Sequence, residues 1–284
     1  MLLLVDLDGV VYRGSDPVPG IAALLTERDA AGDDVVYVTN NSMHYRADYV
    51  TRLAALGAPV TADRVISSPR ATALYLAERE PLVRRVLTVG ASGLDRELRD
   101  VGLDVVGAAY AAERMAKEGL DGWAAAAHPD AVVAGLDPQL TYLRIAAAVD
   151  CIRAGAQFIA TNRDPVYPTE RGLRPGAGSI VAAIEVASGT KPLVIGKPEP
   201  LLVEAAARTV GADPRDAVVI GDGLGTDIAA ANSVGARSVL MLTGVSTRAQ
   251  ADALPVDRRP TAIAADAAEL AEVLRELAGS ARAG

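Results

Sequence analysis

The feature that most constrains this chain lies at its start, where a short apolar run leads into two aspartates. Residues 2–5 are too few and too uniformly apolar for a helix that faces solvent, and they predict a strand buried on both faces. Such strands occur in parallel sheets, and open α/β sheets bind ligands beyond the carboxyl ends of their strands. Asp6 and Asp8 therefore predict two carboxylates at the ligand-binding edge of a parallel sheet.

Two carboxylates at such an edge suit a particular chemistry. They can bind a hard cation such as Mg²⁺, and an aspartate can also act as a nucleophile that forms an aspartyl-phosphate. The alternative for an isolated Asp-x-Asp pair is a turn or a helix cap. The other polar motifs of the chain bear on this choice.

The composition argues against several classes of protein. Half of the 284 residues are hydrophobic, which is enough for one large or two modest domains, and no apolar run approaches the roughly 20 residues that span a bilayer. The net charge of −8 disfavours nucleic acid and anionic membranes as partners. A single cysteine, Cys151, excludes an internal disulfide, and no basic leader precedes the first strand, which together predict a cytoplasmic protein. With only two histidines, a His-rich metal site is disfavoured.

Short apolar runs alternate with helical patterns along the chain, which predicts βαβ units and an α/β fold. The predicted strands are at residues 2–5, 35–38, 86–89, 132–134, 158–160, 194–195, 217–220 and 238–242. The predicted helices are at residues 19–31, 45–56, 69–78, 140–154, 178–188, 200–210 and 226–234, with a terminal strand and helix within 262–278. We expect the residues near Gly284 to fray.

The polar motifs are spread unevenly, which predicts two domains. They fall near residues 6–9, 39–42, 197 and 221–227, whereas the stretch from about 81 to 190 carries none of them and has its own strand–helix alternation. This is the pattern of a domain inserted between two halves of another. We therefore predict a catalytic core at 1–80 and 191–284, and an inserted α/β domain at 81–190 that sets substrate specificity.

The second motif, at residues 39–42, follows a predicted strand and precedes a helix. Its threonine, two asparagines and serine offer a hydroxyl, side-chain amides and backbone N–H groups, which suit a phosphate. The alternative is a turn with a helix N-cap.

The third motif centres on Lys197, which is one of only three lysines in the chain. It follows the predicted strand 194–195 and precedes a proline, which would place its ammonium at the same edge of the sheet. That charge can hold a nucleophilic carboxylate and a phosphate together. The alternative is a solvated surface lysine.

The fourth motif contains Asp222, directly after a β-branched strand, and Asp227 at the start of the next helix. Asp222 would complete an oxygen-rich metal site with Asp6, whereas Asp227 would cap the helix or bond to groups around the metal. The glycines between them do not form a dinucleotide fingerprint, because the G-x-G-x-x-G spacing fails.

The four motifs, in this order, resemble those of haloacid dehalogenase (HAD) superfamily phosphatases of the NagD-like, p-nitrophenyl phosphatase subgroup. The resemblance covers nearly the whole chain and rests on residues 6–14, 39–42, 196–198 and 221–227, with further similarity at 160–164, 168 and 175–179. It implies a Rossmann-like parallel-sheet core with an inserted α/β cap of the C2 type. Its relatives include phosphatases for p-nitrophenyl phosphate, phosphoglycolate, glycerol 3-phosphate and pyridoxal phosphate.

The resemblance also implies a role for each motif. Asp6 would be the nucleophile, and Asp8 would be the acid for the leaving alcohol and then the base for water. Mg²⁺ would be held by the side chains of Asp6 and Asp222 and by the backbone carbonyl of Asp8, with Asp227 bonded to groups around it. The phosphoryl group would be held by four residues: Thr39, Asn40, Asn41 and Lys197.

Three positions depart from the subgroup. Arginine and aspartate usually stand where this chain has Gly223 and Gly225, which predicts a more mobile loop and weaker metal retention. Tyr167 stands in the cap where some relatives, similar to pyridoxal phosphate phosphatases, carry histidine before proline. It is either a substrate-specificity residue or a partly buried tyrosine of the cap.

These features predict a Mg²⁺-dependent phosphomonoesterase whose partner is a small phosphorylated metabolite. Phosphoglycolate and glycerol 3-phosphate are favoured by analogy, with p-nitrophenyl phosphate as an artificial substrate and nucleotides or sugar phosphates as alternatives. The cap would close over the substrate and can also form a homodimer.

Other interpretations are weaker. Asp8 argues against a dehalogenase, and the short segment between Asp8 and Thr39 argues against a phosphomutase with a cap inserted there. A non-catalytic phospho-ligand sensor finds support only in Gly223 and Gly225.

Overall fold

The chain forms two compact units, each built on one parallel sheet. The computed structural model describes residues 1–79, 81–118, 127–169 and 172–280. The first unit comprises Met1–Thr39, Ala47–Ile66 and Lys197–Gly284, and the second comprises Asn40–Arg46 and Ser67–Gly196. The predicted α/β class with parallel sheets is confirmed. The predicted fraying near Gly284 lies outside the described residues.

The strands are short, and most of them belong to the two parallel sheets. In chain order they are β1 (Leu2–Asp6), β2 (Tyr12–Arg13), β3 (Asp16–Pro17), β4 (Asp34–Thr39), β5 (Val65–Ser67), β6 (Arg85–Val89), β7 (Asp104–Gly107), β8 (Ala131–Ala134), β9 (Gln157–Ala160), β10 (Val166–Thr169), β11 (Gly172–Pro175), β12 (Leu193–Val194), β13 (Ala217–Gly221), β14 (Arg237–Met241) and β15 (Ala262–Ala264).

The α-helices alternate with these strands. They are α1 (Ile21–Ala30), α2 (Arg46–Ala55), α3 (Ser68–Ala77), α4 (Ser92–Arg99), α5 (Ala108–Glu118), α6 (Tyr142–Arg153), α7 (Ala177–Ser188), α8 (Pro200–Arg208), α9 (Ala229–Val234), α10 (Arg248–Asp252) and α11 (Ala267–Ser280). A π-helical turn, Leu224–Ile228, precedes α9. None of the described helices combines the length and the apolar sequence needed to cross a membrane.

The first unit contains a six-stranded sheet in the order β15-β14-β13-β1-β4-β5. β1 lies in its interior and pairs in parallel with β13 and β4, so that Leu3 lies opposite Val218 and Val35. Every residue of β1 is buried, as its uniformly apolar sequence predicts. Because these strands run in parallel, their carboxyl ends meet at one edge of the sheet.

The second unit contains a five-stranded parallel sheet in the order β12-β9-β8-β6-β7. Its hydrophobic core joins the sheet to α5, α6 and α7. On α6, the small residues Ala147 and Ala148 are fully buried, and they let the helix lie close to the strands. The single cysteine, Cys151, is free and buried on the same helix, and burial raises its pKa to about 12. An antiparallel hairpin, β10–β11, completes this unit.

All predicted strands are present, and their ends differ from the prediction by one residue at most. The predicted helix 226–234 was too long, because its first turn is the π-helical segment and α9 begins at Ala229. Elements that the periodicity did not reveal are β2, β3, β5, β7, β10, β11, α4, α5 and α10. Most of these are short or exposed, so they leave little hydrophobic pattern.

The boundaries of the two units differ from those of the predicted domains. The second unit includes residues 40–46, the segment from Ser67, and the segment up to Gly196. The boundary after Gly196 follows from β12, because this strand pairs with β9 of the second sheet. The expectation that the strand before Lys197 belongs to the sheet of β1 is therefore wrong. Its two residues align with β9, with Leu193 opposite Ile159.

Candidate active site

Charged and polar side chains gather where the strands of the first sheet end. Asp6 is the last residue of β1, and Asp222 directly follows β13. These two strands are neighbours, with Val5 opposite Ile220, so the two carboxylates emerge side by side. Thr39 ends β4 on the other side of β1.

Four of the buried groups form one cluster. Carboxylate oxygens of Asp6, Asp222 and Asp227 all lie within 4.8 Å of one another. The Lys197 Nζ atom donates to Oδ1 of Asp6 and to Oδ1 of Asp227, each at 2.5 Å. The four residues are between 1% and 7% exposed, which places them in a region of low dielectric. The cluster contains three carboxylates and only one ammonium, that of Lys197. Because negative charge is in excess, the cluster favours binding of a further cation.

The pKa values reflect this crowding. Burial raises the pKa of Asp6 well above its usual value, and the charges of Asp227 and Asp222 add to the rise, while Lys197 opposes it. Burial, together with Asp227, raises the pKa of Asp222 to about 6. Burial by itself would lower the pKa of Lys197, but Asp227 and Asp6 outweigh that effect and raise it. Lys197 is therefore a cation at neutral pH.

Asp227 is held by hydrogen bonds at both oxygens. While Oδ1 accepts from Lys197, Oδ2 accepts the Gly223 N–H at 3.0 Å and the Thr226 hydroxyl at 3.2 Å. Gly221 lies so close that a Cβ atom there would collide with the Asp227 side chain. Asp6, Asp222 and Asp227 all lie close enough together to hold a metal ion, and the assignment of Asp6 and Asp222 as its ligands stays a prediction.

Asp222 is oriented by a loop that none of the four sequence motifs includes. The Val245 N–H donates to Asp222 Oδ2 at 2.8 Å, and a Cβ atom at Gly244 or Gly9 would collide with the Asp222 carboxylate. The Thr243 hydroxyl donates to the Gly9 carbonyl at 2.6 Å, which ties the two glycine segments together. A Thr-Gly pair just after the strand β14 was the available signal, because that strand ends at the same edge.

Asp8 differs from the buried cluster. Its side chain is exposed, although partial burial still raises its pKa. The Gly14 backbone N–H and the Arg52 guanidinium oppose this rise because they favour the ionised carboxylate. An elevated pKa suits a group that must give up and take back a proton near neutral pH.

In the second unit, Asn40 is fixed by three neighbours. Its backbone carbonyl accepts hydrogen bonds from the Ser68 hydroxyl and from the Asn162 side-chain amide, each at 2.7 Å. Its own amide donates to both carboxylate oxygens of Asp164 at 3.1 Å. Asn41 Oδ1 accepts the Met43 N–H at 2.9 Å, so the Asn41 side chain forms the turn that was the alternative interpretation. The phosphate-binding role of both asparagines stays a prediction.

Tyr167 lies on β10 opposite Arg174 of β11 and packs, partly buried, against the core of the second unit. This matches the structural alternative for Tyr167, while a role in specificity stays a prediction. Gly223 donates its N–H to Asp227, and a Cβ atom at Gly225 would meet open space. The predicted mobility of this glycine loop likewise stays a prediction.

Known proteins are similar to this chain in sequence and in fold. A family model described as haloacid dehalogenase-like hydrolase matches residues 3–104, and a second HAD-hydrolase-like model matches residues 194–270. The chain is 40% identical over 265 residues to the D-glycerol 3-phosphate phosphatase of Mycobacterium tuberculosis, covering 93% of this chain and 69% of that protein. It is 34% identical over 274 residues to the acid sugar phosphatase of Staphylococcus saprophyticus, covering 96% of each.

The chain belongs to the haloacid dehalogenase superfamily. Among solved structures, this HAD phosphatase is similar to the p-nitrophenyl phosphatase from Archaeoglobus fulgidus, with a TM-score of 0.82 and 30% identity over 96% of this chain and 98% of that one. It is also similar to a glycerol phosphate phosphatase from Mycobacterium tuberculosis in complex with magnesium, with a TM-score of 0.80 and 38% identity over 95% and 75% of the two chains. The predicted NagD-like phosphatase family and phosphoric monoester hydrolase activity are confirmed.

Proposed function

We propose that this HAD phosphatase is a Mg²⁺-dependent phosphomonoesterase that hydrolyses a small phosphorylated metabolite through an aspartyl-phosphate on Asp6. The observation that carries the proposal is the buried cluster in which Lys197 bridges Asp6 and Asp227 beside Asp222. A buried ion pair compensates each charge with an opposite one, whereas this cluster has three carboxylates and one ammonium at the ligand-binding edge of the sheet.

The donor set fits Mg²⁺, which prefers hard oxygen ligands and few carboxylates. The side chains of Asp6 and Asp222 and the backbone carbonyl of Asp8 would hold the ion. A bound Mg²⁺ would neutralise negative charge on the carboxylates and on the substrate phosphoryl group. Burial raises the pKa of Asp6 and Asp222, the neighbouring carboxylates add to the rise, and a bound cation would relieve this repulsion.

The residues of the chain then account for both half-reactions. A carboxylate oxygen of Asp6 forms a bond to phosphorus while the ester P–O bond breaks, and Asp8 gives its proton to the leaving alkoxide. Asp8 next takes a proton from water as the water oxygen attacks phosphorus, which releases phosphate and restores the Asp6 carboxylate. Lys197 holds Asp6 Oδ1, which restricts the orientation of the nucleophile, and with Thr39, Asn40 and Asn41 it would bind the phosphoryl oxygens.

Two classes of relative guide the choice of substrate. The similarity to D-glycerol 3-phosphate phosphatase favours glycerol 3-phosphate or the related small acid phosphoglycolate. The similarity to acid sugar phosphatases favours a sugar phosphate as the second candidate.

Phosphate release from a panel of esters tests the proposal. The panel contains glycerol 3-phosphate, phosphoglycolate, a hexose phosphate, a nucleoside monophosphate and p-nitrophenyl phosphate, each with Mg²⁺ and with EDTA. We expect release that requires Mg²⁺ and ranks one small metabolite first. Binding of these esters with no release from any of them would contradict the proposal and favour a sensor.

A further inference from the structure

The backbone on both sides of Asp8 is held by one residue of the β2–β3 hairpin. The Tyr12 N–H donates to the Leu7 carbonyl at 3.2 Å, and the Gly9 N–H donates to the Tyr12 carbonyl at 2.7 Å. Leu7 and Gly9 are the two chain neighbours of Asp8. The position of Tyr12 therefore sets the position of Asp8.

Arg52 of helix α2 holds the same hairpin from outside. The guanidinium carbon of Arg52 lies 3.4 Å from the centre of the Tyr12 ring, which is a cation–π contact. One of its N–H groups also donates to the Gly14 carbonyl in the hairpin turn. Arg52 therefore holds the hairpin at its first strand and at its turn.

The hairpin needs such a support. β2 and β3 have two residues each, and both residues of β3 are exposed. An isolated two-stranded hairpin of this size is not stable in water, so contacts from other elements must fix it. Tyr12 is buried in the hydrophobic core of the unit, and Arg52 adds contacts from α2, although it stands 38 positions from Gly14 in the chain.

Among the other arginine–tyrosine contacts of the described residues, the one between Arg96 and Tyr45 also joins distant segments, and the remaining ones are local. Arg79 lies over Tyr75 and Arg114 over Tyr110, each pair four positions apart in the chain. Such pairs stabilise local helical structure. The contact between Arg52 and Tyr12 instead joins a helix to the loop that carries Asp8.

We propose that Arg52 is a positioning residue that holds the hairpin of residues 12–17 and thereby places Asp8 for proton transfer to the leaving group. The inference rests on the proposed function, in which Asp8 is the general acid. The inference predicts an effect that depends on the substrate, because a general acid speeds departure of the leaving group most when that group is a strong base. An alkoxide needs a proton to depart, whereas p-nitrophenolate is a much weaker base and departs without one.

The experiment compares kcat/KM for an alkyl phosphate, glycerol 3-phosphate, with kcat/KM for p-nitrophenyl phosphate. This parameter covers the steps up to departure of the leaving group, so it isolates the acid role of Asp8. For Arg52→Met, which keeps most of the aliphatic length, we expect kcat/KM to fall about 10- to 100-fold for the alkyl ester. For p-nitrophenyl phosphate we expect a fall of less than about threefold.

Arg52→Lys keeps the charge but lacks the planar guanidinium, so we expect an intermediate loss on the alkyl ester. Arg64→Met is the matched control, because Arg64 belongs to the same unit and pairs at 3.0 Å with Asp34 at the opposite end of β4. We expect Arg64→Met to change both kcat/KM values by less than about twofold and equally. If Arg52→Met does not fold, as judged by circular dichroism, the Arg52→Lys comparison decides.

An equal fall for both esters would overturn the inference, because it would show a general structural role for Arg52. Unchanged kcat/KM for both esters would overturn it too. The proposed function fails in a different way, namely by absence of Mg²⁺-dependent release from every ester with the unsubstituted enzyme. Release by that enzyme, together with equal losses in Arg52→Met, would leave the proposed function standing and reject only the role of Arg52.

Discussion

The two units share an architecture and differ in how they balance buried charge. In the second unit, the fully buried Glu97 pairs with Arg46 at 2.6 Å, and the buried Asp137 accepts from Arg144 at 2.8 Å through both oxygens. In the first unit, Lys197 pairs with the buried Asp6 and Asp227, and a third buried carboxylate, that of Asp222, lies within 4.8 Å of both. Both sheets are parallel and covered by helices, so the fold alone does not set this difference.

Paired and unpaired buried acids have different effects on the protein. A buried acid with its own arginine is neutralised and hydrogen-bonded, and such a pair fixes local packing. Burial raises the pKa of Asp6 and Asp222, and the neighbouring carboxylates raise it further, so such a cluster costs folding free energy. Proteins retain such costly clusters at sites that bind or transform a ligand. Four predictions test this contrast.

The largest effect is expected for Asp6→Asn. An amide cannot attack phosphorus, so we expect the rate of phosphate release to fall more than about 1000-fold. Because burial raises the pKa of Asp6, the folded protein favours an uncharged group there, and we expect no fall in the thermal midpoint at neutral pH. Assays of phosphate release and of thermal unfolding on the same variant check the expected loss of rate and the expected thermal midpoint. A residual rate above about a tenth of the original would refute the covalent route.

The second prediction concerns metal affinity, measured by titration calorimetry with Mg²⁺ alone. Asp222→Asn should weaken binding at least about tenfold, because the side chain is a proposed ligand. Asp8→Asn is the matched control, since it removes the same charge nearby but leaves the backbone carbonyl, and it should change affinity by less than about threefold. Equal losses in the two variants would contradict the ligand assignment.

The third prediction applies to a paired charge of the second unit. Asp137→Asn should lower the free energy of unfolding by about 2 kcal/mol, because Arg144 loses its charged acceptor. Denaturant unfolding measures this loss, and kcat/KM for the best ester should stay within about twofold. A tenfold loss of kcat/KM in the folded variant would break the contrast between structural and catalytic charges.

The smallest effect is expected at Tyr167. If this side chain contacts the leaving group, Tyr167→Ala should change the relative kcat/KM values of the ester panel by about three- to tenfold. Tyr167→Phe, which keeps the ring that packs against the core, is the control for lost packing. An unchanged substrate ranking in Tyr167→Ala would leave Tyr167 with a purely structural role.

Much of the first sheet was predictable, because its strands are short apolar runs that end in polar residues. The neighbouring positions of Asp6 and Asp222 followed from that pattern, since each ends or directly follows a buried strand. Lys197 does bond to Asp6, as predicted. The strand before it, however, pairs with β9 of the second sheet and not with a strand of the first. A two-residue strand has too little pattern to reveal its partner.

The supporting contacts were not predictable. The bond from Asn40 to Asp164 spans 124 positions, and the support of Asp222 by Val245 depends on a loop with no charged residue. The stacking of Arg52 on Tyr12 joins a helix to a short hairpin that the periodicity did not show. In each case the sequence contains the residues but no local signal for their pairing.

The α/β class, the buried strands and the carboxylates at their ends therefore follow from the amino-acid sequence, because strand burial follows from a local pattern of apolar residues. Which of these groups form ion pairs and hydrogen bonds with one another depends on the tertiary structure. Lys197 meets Asp6 across 191 positions and Asp227 across 30, and only packing brings such distant groups within 2.5 Å. Local patterns are set by neighbouring residues, whereas the balance of buried charge depends on how the whole unit folds.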